Sequence, residues 1–207
     1  MQKQQTFISF VLDESASMKN VQEETVDGFN SYINELKSNP SETLICLKTF
    51  NSTKFSTVYN FENIQKTVEM SLFDFSPSGL TPLLDAVGQT IIDTDRFIKS
   101  QSGDNTQVIV TIMTDGYENA SKKFTISDIK NMIVEKEKMG WQFHYLGANH
   151  DAWDVGQAFG FKHKNVNQYN YSDPKAAFKY TAKRALNLKE AWLYVERYKL
   201  NVASCPS

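Results

Sequence analysis

Two blocks of the chain are short and almost entirely apolar. Residues 7–12 read Phe-Ile-Ser-Phe-Val-Leu, and residues 108–114 read Val-Ile-Val-Thr-Ile-Met-Thr. Runs of this length and composition are typical of strands that are buried on both faces of a parallel sheet. Residues 44–50 and 141–146 have a similar character, and Val166 begins a last short strand. We predict that the first two blocks lie side by side at the centre of the sheet.

Between these strands, apolar residues recur every three or four positions, which is typical of helices with one buried face. Residues 21–36 form the first such stretch. Pro82 fits the first position of another helix, with Thr81 as its cap. A capping-box pattern at residues 125–128 opens a third helix, and a long C-terminal helix starts at residue 173. In that last helix we expect these residues to face inward: Ala177, Tyr180, Leu188, Trp192, Val195 and Tyr198.

The segment at residues 55–61 alternates between apolar and polar side chains. A turn at residues 51–53 joins it to the preceding strand, so we predict an antiparallel hairpin at a sheet edge. Residues 64–70 form a weak helical pattern. Strands that alternate with helices predict a three-layer, doubly wound α/β fold, with a mostly parallel sheet and one antiparallel edge strand. We expect a single domain over residues 1–207, with a core at about 5–170 and a helical extension at about 173–200.

Composition and charge narrow the function classes. The 207 residues are 41% hydrophobic and 22% charged, which is ordinary for a globular protein. A formal charge of −2 argues against a generic nucleic-acid binder, which usually carries a basic excess. Cys46 and Cys205 have no metal-type neighbours and are expected to be free thiols. Because no signal peptide precedes the first strand and no apolar run reaches a membrane span, we expect a cytoplasmic protein without a membrane partner.

Polar residues with small oxygen-bearing side chains stand where the predicted elements begin and end. Asp13, Ser15 and Ser17 alternate after the first buried strand, Thr81 precedes a helix, and Asp115 follows the second buried strand. Ligands of open α/β sheets bind outside the carboxyl ends of the strands. Small oxygen ligands at that place suit Mg²⁺, and they also accept Mn²⁺ or Ca²⁺.

Three sequence motifs in this order resemble the von Willebrand factor A domain and its metal-ion-dependent adhesion site. They are Asp-x-Ser-x-Ser after an apolar strand, Gly-Leu-Thr-Pro-Leu before a helix, and Thr-Asp-Gly after another apolar strand. The motifs span about the first 120 residues. Element order and the segment Tyr-Leu-Gly-Ala-Asn-His-Asp-Ala extend the likeness to about residue 160, and that segment is similar to stand-alone bacterial and phage members.

The resemblance implies a non-enzymatic, Mg²⁺-dependent protein-binding module. Ser15, Ser17 and Thr81 would bind the ion through their hydroxyls, while Asp13 and Asp115 would act directly or through water. The ion would keep a sixth position for an Asp or Glu of a partner protein, and cytoplasmic members suggest an AAA+ ATPase or other assembly machinery as that partner. Residues expected on the partner-binding rim, with Tyr117 as the aromatic anchor, are Glu14, Lys19, Ser78, Tyr117, Glu118 and Asn119.

Structural roles compete for the same residues. Ser15 and Ser17 could cap the following helix, and a lone Asp-x-Ser-x-Ser is more often a capping loop than a metal site. The coincidence of three motifs favours the metal site. Asp85 is expected to brace a loop or support the site rather than bind the ion.

Other functions stay open as alternatives. A Mg²⁺-dependent phosphohydrolase would use Asp13 as its nucleophile, but it would need an acid at position 15, where this chain has Ser15. Lys99 is also the only lysine between Thr81 and Asp115. A structural assembly domain with a vacant site is a further alternative, and RNA binding is a weaker one because no basic stripe is visible.

Overall fold

The computed structural model of the protein describes residues 5–39, 42–101, 106–148 and 152–203, with side chains of the last helix described as far as residue 195. His150, Asp151, Cys205 and the side chain of Tyr198, which was expected to face inward, lie outside the described part of the chain. None of the helices in the described ranges is long and apolar enough to cross a membrane.

A six-stranded sheet forms the centre of the fold, in the order β3-β2-β1-β4-β5-β6. Its strands are β1 (Gln5–Asp13), β2 (Thr43–Phe50), β3 (Phe55–Asn63), β4 (Thr106–Thr114), β5 (Gln142–Gly147) and β6 (Val166–Gln168). All neighbours pair in parallel except β2 and β3, which form the antiparallel edge hairpin. The predicted central position of β1 beside β4 is therefore confirmed.

In the described part of the chain, five α-helices cover the two faces of the sheet. They are α1 (Gln22–Lys37), α2 (Leu83–Ser100), α3 (Ile126–Lys138), α4 (Ala152–Ala158) and α5 (Pro174–Ala203). Residues of α1 and α5 pack into one apolar core, and residues of α2, α3 and α4 pack into the other. The three-layer, doubly wound arrangement is confirmed. The predicted helix at residues 64–70 is wrong, because only a 3₁₀ turn, Ile64–Lys66, forms there.

Aromatic rings fix α1 and α5 against the sheet. The ring of Phe10 in β1 lies 5.4 Å from Phe29 and 5.6 Å from Phe178, measured between centroids. On α5 the inward stripe passes through Phe178, so Tyr180 faces away and is 44% exposed. A helix turns about 100° per residue, which places a residue two positions on near the opposite face. Val195 is also exposed, and the expectation that these two residues face inward is wrong.

Candidate metal centre

The parallel register of β1 and β4 brings their ends together. Leu12 is paired with Met113, so Asp13 and Thr114 follow at the same edge of the sheet. The Thr114 hydroxyl donates to Asp13 Oδ2 over 2.6 Å, and the Ser15 backbone N–H donates to Asp13 Oδ1 over 2.8 Å. The Asp13 side chain is fully buried. Both of its oxygens are therefore held in one orientation by the two neighbouring segments.

The carboxylate of Asp115 meets the serines that follow β1. Ser17 Oγ donates to Asp115 Oδ1 over 2.7 Å, and the Ser15 and Ser17 hydroxyl oxygens lie 3.0 Å apart. Asp115 is only 6% exposed, and its other oxygen, Oδ2, is buried without a hydrogen-bond partner. Buried carboxylate oxygens in native proteins are rarely left without a partner. The buried Oε2 of Glu14 also lacks one, but the Asp115 oxygen belongs to a carboxylate that is bonded to Ser17 in the cluster.

Thr81 completes the cluster from the start of α2. A Cβ atom added at Gly116 would lie 3.1 Å from Thr81 Oγ1 and 3.8 Å from both Asp13 Oδ2 and Ser17 Oγ. The three side chains thus surround one glycine, which leaves them room to approach each other. All five residues expected to bind a metal are brought together at the carboxyl edge of the sheet, although binding itself stays a prediction.

Burial makes the two carboxylates costly to ionise. It raises the pKa of Asp13 to about 6, with a smaller contribution from the charge of Asp115 and an opposing one from the Thr114 hydrogen bond. Burial also raises the pKa of Asp115, against the hydrogen bond from Ser17. A cation bound between them would remove this cost, because an opposite charge favours the ionised form.

The donor chemistry fits a hard divalent cation. Within the described ranges, no three His, Cys, Asp or Glu side chains are grouped so that they could hold a metal ion. Two carboxylates and three hydroxyls form this cluster instead, and all of them offer oxygen. Mg²⁺ prefers such ligands and usually keeps several waters.

Glu14 does not belong to an exposed rim, contrary to expectation. Its side chain is fully buried. Its Oε1 atom pairs with the Lys54 ammonium over 2.8 Å and also accepts the backbone N–H of Ser76. Its backbone bonds to Phe50 and Ser78. Glu14 therefore fastens two neighbouring loops to the end of β1. The other expected rim residues that are exposed are Lys19, Ser78, Tyr117 and Asn119, and their contact with a partner stays a prediction.

Glu118 caps α2, a role that the sequence pattern assigned to Thr81. Its carboxylate accepts the backbone N–H of Leu84 over 2.8 Å, together with those of Ala120 and Ser121. The residue preceding the helix is Pro82, and it makes no side-chain cap. The assignment of Thr81 as the cap is wrong. Since Glu118 lies far from the helix in sequence, no local spacing signals this contact.

Two further contacts hold the loop of residues 115–125 against α2. Asp85 accepts the backbone N–H groups of Lys122, Lys123 and Phe124 over 2.8–3.0 Å, so its predicted role in bracing a loop is confirmed. Asn119 Oδ1 accepts the N–H of Thr81 over 2.8 Å. The loop that carries Asp115 is thus joined to the segment that carries Thr81.

Sequence reasoning missed two residues that orient the cluster. Thr114 binds Asp13, and its place in the Thr-Asp-Gly motif was a usable signal. Tyr171 donates its hydroxyl to the carbonyl of Ser17 over 2.6 Å, from a segment 154 positions away. Nothing in the local sequence around Tyr171 indicates that contact.

Solved structures share this fold at low sequence identity. Proximal thread matrix protein 1 from the mussel byssus matches with a TM-score of 0.64 and 13% identity, over 88% of this chain and 46% of that one. A von Willebrand factor type A structure from Catenulispora acidiphila gives 0.59 and 10%, over 86% and 42%. Manganese-loaded TRAP protein from Plasmodium vivax gives 0.57 and 12%, over 85% and 72%.

These likenesses establish the fold, a von Willebrand factor A type of α/β sheet. The chain spans less than half the length of the first two structures. No protein-family model and no curated protein sequence matches the chain.

Removal of the Glu118 carboxylate should weaken the loop and the start of α2 together. We expect Glu118→Ala to lower the free energy of unfolding by about 1–3 kcal/mol, because three backbone donors lose their acceptor. Urea denaturation measures this change. The matched variant Glu135→Ala, on the exposed face of α3, should change the stability by less than about 0.5 kcal/mol. Equal losses in the two variants would contradict the capping role.

The contribution of Asp13 to the stability of the metal-free protein should fall as the pH rises from 4 to 6. The folded-state pKa of Asp13, about 6, lies above its ordinary value of 3.8. The folded state therefore holds a proton that the unfolded state has lost, and the favourable contribution disappears as Asp13 ionises. With a chelator present, the stability of the wild type relative to Asp13→Asn should fall by on the order of 2–3 kcal/mol over this range.

Urea denaturation of the two proteins at each pH measures that difference. The comparison cancels groups common to both, including the buried His144, whose lowered pKa acts in the opposite direction. A difference that stays constant between pH 4 and 6 would contradict the raised pKa of Asp13.

Proposed function

We propose that this protein is a non-enzymatic, Mg²⁺-dependent protein-binding module. The observation that carries the proposal is the buried, partnerless Oδ2 of Asp115. It lies in a cluster of two carboxylates and three hydroxyls at the edge of the sheet where ligands of open α/β folds bind. A cation is the simplest partner for this atom, since it also offsets the cost of burying two acids.

The chemistry of the ligand set favours a third acid from outside. Ser15, Ser17 and Thr81 would hold the ion with neutral oxygens, and Asp115 would contribute its charge. Both oxygens of Asp13 already accept hydrogen bonds, which suits a role through water or through Ser15. An ion with so little direct negative charge around it attracts a further carboxylate. An Asp or Glu of a partner protein would supply it.

Fold and resemblance narrow the partner class. One structure with this fold is a manganese-loaded protein, which supports a divalent cation here, and Mn²⁺ or Ca²⁺ could replace Mg²⁺ at oxygen ligands. We infer that the partner is an AAA+ ATPase or another component of assembly machinery, and that it offers an exposed acidic residue to the ion. We also propose that residues 1–207 form a single domain and that the protein is cytoplasmic. Both proposals rest on the sequence.

The site geometry does not favour the phosphohydrolase alternative. A nucleophilic carboxylate must reach its substrate, whereas Asp13 is fully buried and bonded at both oxygens. Position 15 carries a hydroxyl in place of the second acid that such chemistry requires.

Thermal unfolding with and without metal tests the proposed site. A ligand that binds only the folded state raises its stability, and Mg²⁺ at about a hundred times its dissociation constant should add about 2.7 kcal/mol. We expect this metal-dependent rise in the wild type and its loss in Asp115→Asn. The exposed control Asp154→Asn should behave like the wild type. An equal rise in all three proteins would contradict the site.

A further inference from the structure

A cavity of about 280 Å³ opens beside the metal centre. It lies between the turn that joins β2 to β3, the start of α2 and the loop of residues 115–125. Pro82 forms part of its wall and directly follows Thr81 in the chain. The cavity and the metal centre therefore share one edge of the sheet, and a single bound segment can reach both.

Most polar groups around the cavity are already engaged within the protein. Asn51 accepts two backbone N–H groups of the turn and donates to the carbonyl of Glu14. Ser52 Oγ accepts the N–H of Leu80, and the Asp85 carboxylate accepts three N–H groups. These groups hold the walls in place, so they are not available to recognise the edge of a nucleobase or a sugar.

Two ammonium groups are left to meet a ligand. Lys122 and Lys123 line the cavity and are exposed, and neither ammonium takes part in a hydrogen bond or ion pair with the described residues. The third lysine of the wall, Lys54, is paired with the buried Glu14. Asp85 keeps its negative charge while it accepts the backbone N–H groups, but the three lysines of the lining outnumber this one acid, so the cavity is electrostatically suited to an anion.

Apolar side chains form part of the remaining wall, beside Thr53 and Gln89. Phe50 is almost fully buried, Phe55 is 39% exposed, and Pro82 also lines the cavity. Apolar wall atoms together with two exposed lysines in the lining suit a carboxylate on a short hydrocarbon stem, which is an acidic side chain.

We propose that the cavity is a second anion subsite that takes an Asp or Glu side chain of the partner segment. This choice of occupant rests on the function proposed above, in which another acid of the same partner segment binds the metal. The ligand class is thus an acidic peptide with at least two carboxylates, one at the ion and one between Lys122 and Lys123. The lysine subsite confers specificity for segments with more than one acid.

Nuclear magnetic resonance titration of the full, ¹⁵N-labelled chain with a hexa-aspartate peptide tests this subsite. The backbone amides of residues 51–54 and 122–123 report on the cavity, and those of Ser15, Ser17 and Gly116 report on the metal centre. We expect both groups of amides to shift with Mg²⁺ present, and the cavity amides to shift with chelator as well. A hexa-serine peptide should shift neither group.

Variants then identify the lysines as the cause. Replacement of Lys122 and Lys123 by Ala should weaken hexa-aspartate binding about threefold to tenfold in chelator. The matched control replaces Lys66 and Lys183, which are exposed elsewhere on the surface, and should bind as the wild type does. Equal weakening in both double variants, or unshifted cavity amides, would overturn the subsite.

The two proposals fail in different ways in this experiment. If Mg²⁺ does not shift Ser15, Ser17 and Gly116 while the cavity amides still respond to hexa-aspartate, the metal-dependent function is wrong and the subsite stands. If the metal centre responds to Mg²⁺ and hexa-aspartate while the cavity amides do not respond, only the subsite is wrong.

Discussion

The parallel pairing of β1 with β4 is the constraint on which the site depends. It places Asp13 beside Thr114, so that both strands end at one edge of the sheet. The residues that follow the strands there are Ser15, Ser17 and Asp115. Neither strand could shift by one residue without moving every buried side chain to the other face. The two apolar cores on either side of the sheet therefore hold the register, and the register holds the acids together.

Two acids buried so close to each other oppose folding unless something offsets their charge. Hydroxyl donors and the raised pKa values relieve part of that cost in the free protein. The surrounding loops keep Asp13 and Asp115 in place at the same time. Three other carboxylates fix these loops by accepting hydrogen bonds from backbone N–H groups or pairing with a lysine: Glu14, Asp85 and Glu118. The site is thus a set of weakly neutralised oxygens in a rigid frame, which is the preorganisation that a bridging cation requires.

Sequence reasoning recovered most of the elements that local patterns encode, although the helical pattern at residues 64–70 forms only a 3₁₀ turn. The buried runs ending at Leu12 and Thr114 predicted the central strands, and the motifs predicted which polar residues would cluster. The contacts that failed prediction join distant segments. Glu118 displaces Thr81 as the cap of α2, and Glu14 turns inward to Lys54. These contacts depend on which side chains the tertiary fold brings close together. Residue spacing along the chain therefore does not predict them.

The most direct measurement of the central claim is anomalous X-ray scattering from crystals of this protein grown with Mn²⁺. One strong peak should lie within about 2.5 Å of oxygens from Ser15 and Ser17, with Thr81 and Asp115 around it and a water or an acid from a neighbouring molecule at the open position. Crystals of Asp115→Asn under the same conditions should lose that peak. Absence of a peak from the wild-type cluster, or a peak that persists unchanged in the variant, would contradict a metal-dependent binding site.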